Sequence, residues 1–308
     1  MSTLSDIGEF GLIEFIRSKQ RIPEELTGIG DDCAIIGFDN QELLVTVDTM
    51  VEGVHFLSGT NPMLLGRKAV SVNISDIAAM GGVPRWMFLS LSIRPDASLD
   101  YIRGIIDGIT GRANEFGVLL LGGDTVAAGE LVLSVTMIGL NQPGSSLKRS
   151  GASPGDDIYV TGRIGCSGCG LEAIIRNLDG YDQLKIAHLD PVPRLKEALA
   201  VKDVATAMID VSDGLLQDCW HICRSSSAGA ELFMDQIPFC ECDLLDEHSM
   251  LSAGEDYELL FTADPSNRDR LDRMPGITRI GVMIEEEGMF LVKAGERIRV
   301  SPSGFTHF

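Results

Sequence analysis

LLVTVD, residues Leu43–Asp48, is a short apolar run, rich in β-branched side chains, that ends on a carboxylate. A run of that length and make-up reads as a buried strand. Downstream, Leu64–Met80 has helical spacing and stops at Gly81-Gly82, a helix-ending signal. Trp86–Ile93 alternates like a strand, whereas Leu99, Ile102, Ile105, Ile106, Ile109 and Ala113 share one helical face. Val118–Leu121 and Leu131–Gly139 read as strands.

A polar, Gly/Pro/Ser-rich stretch, Asn141–Gly155, follows and is the expected domain boundary. Beyond it the alternation resumes. Strands are expected at Asp157–Thr161, Val204–Asp210, Ala230–Met234, Tyr257–Thr262, Ile280–Met283 and Phe290–Lys293, and helices at Gly168–Arg176, Pro193–Val201 and Leu215–Cys223. The pattern predicts an α/β or α+β protein with mixed sheets, divided into residues 1–140 and 149–308.

The 308 residues suit two medium domains. A net charge of -20 argues against nucleic acid or an anionic membrane as partner, since both need a basic surface. No apolar run approaches the ~20 residues of a membrane span. The N-terminus carries acidic residues and no basic leader, so a cytoplasmic location is expected.

One pattern recurs. Asp stands where an element stops, beside Gly, Ser or Thr: GIGDDCAII (Gly28–Ile36), VTVDTMVEGVHF (Val45–Phe56), NISDIAAMGG (Asn73–Gly82), LGGDTV (Leu121–Val126) and IDVSDGLLQD (Ile209–Asp218). Side chains converge at such ends in α/β proteins. Each Asp alone is better explained as a helix cap or turn former. Together they form a candidate set of oxygen ligands for Mg²⁺, which is commonly shared with substrate phosphates. The chain has no G-x-x-x-x-G-K-[ST] loop, no protein-kinase signature and no dinucleotide-binding glycine motif. Carboxylate-held metal would therefore do much of any work on nucleotide phosphates.

These segments resemble the thiamine-monophosphate kinase family, within the aminoimidazole-ribonucleotide synthetase superfamily. The likeness runs from GEFGLI (Gly8–Ile13) to GFTHF (Gly304–Phe308). It also takes in KAVSVNISDIAAMGGVP, RSGASPGDDIYVTG (Arg149–Gly162), PVPR (Pro191–Arg194) and SAGEDYELLFT (Ser252–Thr262), in the family's order. The resemblance implies an N-terminal domain that pairs with its copy in a homodimer and a C-terminal α/β domain. ATP and several Mg²⁺ ions would lie in the cleft between them, with thiamine monophosphate as the other substrate. It implies metal contacts for Asp32, Thr46, Val47 (through its carbonyl), Asp48, Asp76, Asp124 and Asp210, with Asp213 more peripheral. Gly123, Asp124, Arg149 and Ser212 match ATP-contacting positions, and His55, Glu255 and Phe305 match contacts to thiamine. Ala253 stands where relatives have the first Gly of GGEDYE, which bears on the backbone beside Glu255.

The implied acceptor is a phosphate with a second pKa of about 6, mostly a dianion at neutral pH. It needs no general base, and no covalent nucleophile is expected. Positioning and charge neutralisation must carry the catalysis. Read on their own residues, His55 is a packed histidine and Phe305 a tail residue. The seven Cys include the pairs Cys166/Cys169 and Cys240/Cys242. Their intervals fit no standard zinc motif; plain packing is expected, with a redox pair at 166/169 as the alternative. Other activities of the superfamily fit less well. No Cys precedes Cys33, as a selenophosphate synthetase would want, and the chain ends in His307-Phe308 rather than the Cys of the hydrogenase-maturation relative. A non-catalytic Mg-nucleotide sensor is the rival from another class.

Overall fold

A computed structural model describes residues 4–19, 23 and 26–307; Phe308, the end of GFTHF, lies outside the described residues. The first half holds α1 (Leu4–Lys19), β1 (Ala34–Phe38), β2 (Gln41–Val51), α2 (Pro62–Ala79), β3 (Val83–Ile93), α3 (Leu99–Glu115), β4 (Leu119–Ala127) and β5 (Val132–Asn141). Its strands form one sheet in the order β1-β2-β5-β3-β4. β3 and β4 run parallel and the other neighbours antiparallel.

The second half holds β6 (Asp157–Thr161), α4 (Cys166–Ile175), α5 (Asp182–Leu189), α6 (Leu195–Val201), β7 (Ala205–Asp210), α7 (Leu215–Ser226), β8 (Gly229–Phe233), α8 (Glu247–Ser252), β9 (Leu259–Ala263), α9 (Arg268–Leu271), β10 (Ile277–Ile284), β11 (Met289–Lys293) and β12 (Glu296–Val300). Its sheet runs β12-β11-β8-β10-β6-β9-β7. β6 and β9 lie inside it and are buried along their whole length. That explains why their sequences show no alternation of apolar and exposed polar residues, the polar Asp157, Thr161 and Thr262 being buried as well.

In the first half one face of the sheet is covered. Leu44, Met50, Met87, Leu133, Val135 and Met137 pack against α2 and α3 residues such as Leu65, Ile74 and Ile109. The two helices approach closely at Gly66 and Gly108. A Cβ at Gly66 would stand 2.1 Å from the Ile105 carbonyl oxygen, and one at Gly108 2.1 Å from that of Met63.

α2 positions the site. Asn61 caps it, accepting from the Met63 and Leu64 N–H groups, and Pro62 starts it. From Leu65 to Ala79 it is buried except at Arg67 and Asp76, with Lys68, Ser71, Asn73 and Ser75 among the buried residues. The reason is that both halves use it. Leu65, Val70, Ile74 and Ile77 belong to the first core, while Ala78 and Ala79 pack with Tyr159, Met208, Leu259 and Phe261 of the second.

Every strand and helix expected from the sequence is present, with ends shifted by a few residues. α1, β1, α5, α8, α9 and β12 went unread. α1 is interrupted at Gly8, whose φ is 64°, and the others are short.

Candidate active site

The end of β2, the second half of α2, the end of β7 and the loop before β1 meet along the seam between the halves. Strand alternation turns Thr46 and Asp48 toward α2, on the same face as buried Leu44 and Met50. Helical spacing puts Ser75 and Asp76 on the side of α2 that meets β7. Asp32, Asp76 and Asp210 each place a carboxylate oxygen within 4.8 Å of the others. Asp48 hydrogen-bonds Asp76, and the Thr46 hydroxyl donates to Asp76 Oδ2. Ser75 Oγ donates to Asp210 Oδ2 over 2.6 Å.

Arg149 is the cation facing this group. Its Nε and Nη2 donate to Asp32 Oδ1 at 3.1 and 2.6 Å, and its backbone N–H donates to Asp31 at 2.9 Å. Asp32 Oδ2 is buried and has no partner, which is costly for a carboxylate oxygen.

Burial and mutual repulsion shift the group's acidities. Burial, with the Asp32 charge, pushes Asp48 up to about 6. Burial and then Asp32 push Asp210 up to about 8. Asp76 lies well above the carboxylate range, through burial and then Asp48, Asp210 and Asp32. Buried acids that share one space cannot all ionise without a counter-charge. One positive guanidinium does not balance them, so the donor set calls for added positive charge of a hard, oxygen-seeking kind.

Beside this cluster lies a cavity walled by Val54, Phe56, Leu57, Leu65, Leu171 and Ile174, with His55, Lys68, His188 and Glu255 as its polar groups. Lys68 Nζ and Glu255 Oε1 pair at 2.7 Å. Although burial opposes it, the Lys68 ammonium holds Glu255 below the usual carboxylate range. His188 Nδ1 sits 3.4 Å from Glu255 Oε2, and burial followed by Lys68 pushes this histidine down to about 4. His55 accepts the Val51 N–H on Nδ1 over 3.0 Å; burial, then His307, lowers it.

Glu255 and Tyr257 have φ of 66° and 51°, a region non-glycine residues rarely adopt and one often found at functional sites. Their N–H groups donate to the Ser212 carbonyl at 2.7 Å and the Val211 carbonyl at 2.8 Å, which anchors the loop. Ala253 has φ −73° and ψ 125°, ordinary extended backbone, so its departure from the family pattern costs nothing here. Gly254 is the glycine this turn needs, because a Cβ there would lie 2.5 Å from the Ser212 oxygen.

Asp213 lies on the far side of Ser212. It forms a second group with Asp218 and His221, ligand atoms again within 4.8 Å, and burial followed by Glu9 pushes it up to about 6. Asp218 Oδ2 accepts the Asp213 and Gly214 N–H groups, each at 3.1 Å, and so fixes the turn that presents Ser212 and Asp213. Phe305 joins through its N–H, which donates to the Asp213 carbonyl at 3.0 Å. Its ring lies against His307, which reaches His55.

Gly123 and Asp124 stand elsewhere. They lie on β4, an edge strand exposed along its whole length. At ~4.8 Å per strand, β4 is ~14 Å from β2. Gly123 is required by packing, since its Cβ would lie 1.7 Å from the Leu89 carbonyl oxygen. Val47 points away from the cluster and is 58% exposed, leaving only its carbonyl as a candidate ligand.

Three participants escaped the sequence reading: Lys68, His188 and Ser75. Lys68 carried a signal, as the lone basic residue in the largely buried stretch KAVSVNISDIAA. His188 carried none, because it reaches the site from α5. Asp256, ambiguous in sequence, accepts the Gly165 and Ser167 N–H groups at 2.6 and 2.9 Å and thereby caps α4. Four of the seven cysteines form the disulfides Cys166–Cys240 and Cys169–Cys242. This corrects both the packing expectation and the 166/169 pairing: each C-x-x-C or C-x-C partner faces the other motif across the fold.

The family described as AIR synthase related protein matches in both its parts, the N-terminal domain over residues 30–141 and the C-terminal domain over 153–294. Fold and site thus define a two-domain protein of the AIR synthase related class. Among curated relatives, the thiamine-monophosphate kinase of Escherichia coli (strain K12) is 39% identical, covering 98% of each chain. The solved structure of AaThiL complexed with AMPPCP and TMP superimposes with a TM-score of 0.91 at 31% identity, covering 100% of this chain and 99% of that one. That of thiamine-monophosphate kinase from Stenotrophomonas maltophilia K279a gives 0.79 at 36%, covering 93% and 96%. The chain belongs to the thiamine-monophosphate kinase family.

Proposed function

We propose that this chain transfers the γ-phosphoryl group of ATP to thiamine monophosphate, giving thiamine diphosphate and ADP. The transfer is direct and in line, several Mg²⁺ ions assist it, and it completes thiamine diphosphate synthesis. The observation that carries the reading is the juxtaposition of two unlike sites: a buried carboxylate cluster and, next to it, a mostly apolar cavity holding Glu255. Two of the relatives named above are thiamine-monophosphate kinases, and AaThiL was solved with AMPPCP and TMP.

The residues present fit Mg²⁺. The oxygens of Asp32, Asp76 and Asp210 converge, Asp32 Oδ2 has no partner, and every donor is a hard oxygen. Asp32, Thr46, the Val47 carbonyl, Asp48, Asp76 and Asp210 would hold the ions, with Asp213 at a further position. Bound there, Mg²⁺ supplies positive charge that screens the two polyanionic substrates from each other.

The chain's own groups do the rest. Arg149 lines a groove with Gly28, Gly30, Lys148, Ser150 and Arg224, a basic and backbone-rich surface suited to the nucleotide phosphates; Ser212 lies on the turn beside it. The cavity receives the ring end of the acceptor. Apolar walls exclude water from the rings, Glu255 offers a carboxylate to a polar ring edge, and His55 and Phe305 flank the mouth. Fixing that end aims the acceptor phosphate at the cluster, and its own negative charge makes a general base unnecessary.

A homodimer belongs to the same proposal. Val47, Phe88, Leu119, Leu121 and Val126 are exposed on the open face and free edge of the first sheet, an apolar surface of the kind that marks an interface. The roles of Gly123 and Asp124 rest on this pairing, because within one chain β4 stands apart from the cluster.

The test is direct detection of thiamine diphosphate from thiamine monophosphate, ATP and Mg²⁺. Product formation that needs all three is expected. Tight ATP binding with no product would instead favour a nucleotide sensor.

A further inference from the structure

Neither the carboxylate cluster nor the cavity accounts for the four paired cysteines. Cys166–Cys240 and Cys169–Cys242 bring Cα atoms to 5.1 and 6.5 Å across sequence separations of 74 and 73 residues. Both join the first turn of α4 to the segment that follows β8. Each pair has a buried member, Cys240 or Cys169, and a half-buried one, Cys166 or Cys242. Cys240 and Cys242 also line an open groove with Phe239, Glu241, Asp246 and Lys293, so solvent reagents can approach the sulfurs.

That first turn needs support. It reads CSGCG, its cap residue Gly165 has no side chain to offer, and Gly168 and Gly170 lie inside the helix. Each internal glycine weakens a helix relative to alanine. Yet this turn organises the cavity. Its N–H groups hold Asp256, and Ser167 Oγ meets His188 Nδ1 at 3.0 Å. His188 in turn faces Glu255. Leu171 and Ile174 of the same helix are cavity walls.

We propose that the two disulfides form a thiol–disulfide modification site, through which a dithiol reductant weakens the cavity's hold on the ring end of the acceptor. The identity of that acceptor rests on the function proposed above. A reductant thiolate attacks the half-buried sulfur of Cys166 or Cys242. The S–S bond breaks, and Cys240 or Cys169 leaves as thiolate and takes up a proton. The reductant's second thiol then displaces the protein sulfur from the mixed disulfide. Each bridge gains two electrons and two protons, and the dithiol becomes a disulfide. In a reducing cytoplasm, disulfides are characteristically of this transient kind.

The experiment compares protein purified without reductant with the same protein treated with dithiothreitol. Alkylation of the untreated, unfolded chain is expected at the three free cysteines Cys33, Cys219 and Cys223, and after reduction at all seven. Reduction should raise KM for thiamine monophosphate by about fivefold or more, the low end of coupling between sites, with KM for ATP unchanged. Amide exchange over residues 165–170 should quicken in the absence of any substrate. The Cys240→Ala/Cys242→Ala variant should match the reduced protein and ignore dithiothreitol; should it fold poorly, the reduced wild type carries the test alone. Seven free thiols before reduction, a zinc ion retained by the four thiolates in the native mass, or exchange and KM indifferent to reduction would each overturn the proposal. Absence of thiamine monophosphate turnover in both states, with exchange still redox-dependent, would overturn the functional reading and not the modification site.

Discussion

Asp48→Asn separates a metal ligand from a turn former, because the two readings predict opposite changes. Asp48 lies in a group with Asp32, Asp76 and Asp210, and its acidity moves from the ordinary 3.8 to about 6. A folded-state value raised in this way lowers stability as pH rises from about 4 to about 6 and leaves it reduced above that. The shift corresponds to about 3 kcal/mol at neutral pH in metal-free protein. Asparagine keeps the shape, removes the charge, and donates an N–H to Asp76 without needing a shared proton. Metal-free Asp48→Asn should therefore be more stable than the parent by up to that amount, a rise in Tm of about 5 °C for a chain this size. The gain should shrink or reverse with Mg-ATP, since the parent then gains a cation that the variant holds less well. Turnover should fall by at least about a hundredfold, as when a group that acts only in the transition state is lost. The assay is thermal melting at pH 7.5 in chelator and in Mg-ATP, beside turnover. A folded variant with near-normal turnover, or one destabilised without metal, refutes the reasoning.

Four further outcomes are expected. Lys68→Met strands Glu255 without its cation and should cost about 3 kcal/mol in denaturant melts, together with a raised KM for the acceptor; an unchanged KM would remove Lys68 from the site. Gly66→Ala pushes α2 off α3 and should cost at least about 2 kcal/mol, with unchanged stability counting against the close approach. His188 is held near 4 by burial, so it resists protonation in the folded state while an unfolded imidazole accepts a proton near 6.5. Its effect is absent above about 6.5 and destabilising as pH falls toward 4, so His188→Asn should narrow its stability deficit over that interval relative to the parent; parallel curves would contradict this. Unphosphorylated thiamine should be a very poor acceptor, since its neutral hydroxyl brings no anion and finds no base; turnover comparable to the monophosphate would exclude the base-free mechanism.

The strands that meet water least were read most faithfully. Asp157–Thr161 matches β6 in both bounds: Ile158, Tyr159 and Val160 form its buried centre, and Asp157 and Thr161 mark its ends as buried polar residues. The Asp segments of β2, α2 and β7 were legible for a related reason: small neighbours beside a carboxylate at an element's end leave room for little else. What escaped depends on distance in three dimensions. Periodicity could not show that Cys166 faces Cys240, since that pairing is set by the route of the chain through α5, β7 and β8. Nor could LGGDTV show that Asp124 lies on an open sheet edge, because a residue's neighbours across a sheet are fixed by strand order and not by its own motif.

α2 serves two cores, with Ile74 and Ile77 in one and Ala78 and Ala79 in the other. Domains joined through a small, polar contact rock freely, whereas a large apolar one resists it. Here a hinge would have to unplug a helix end from packed hydrocarbon at every cycle. The jaws of this cleft are therefore cast in one piece, at a fixed gauge.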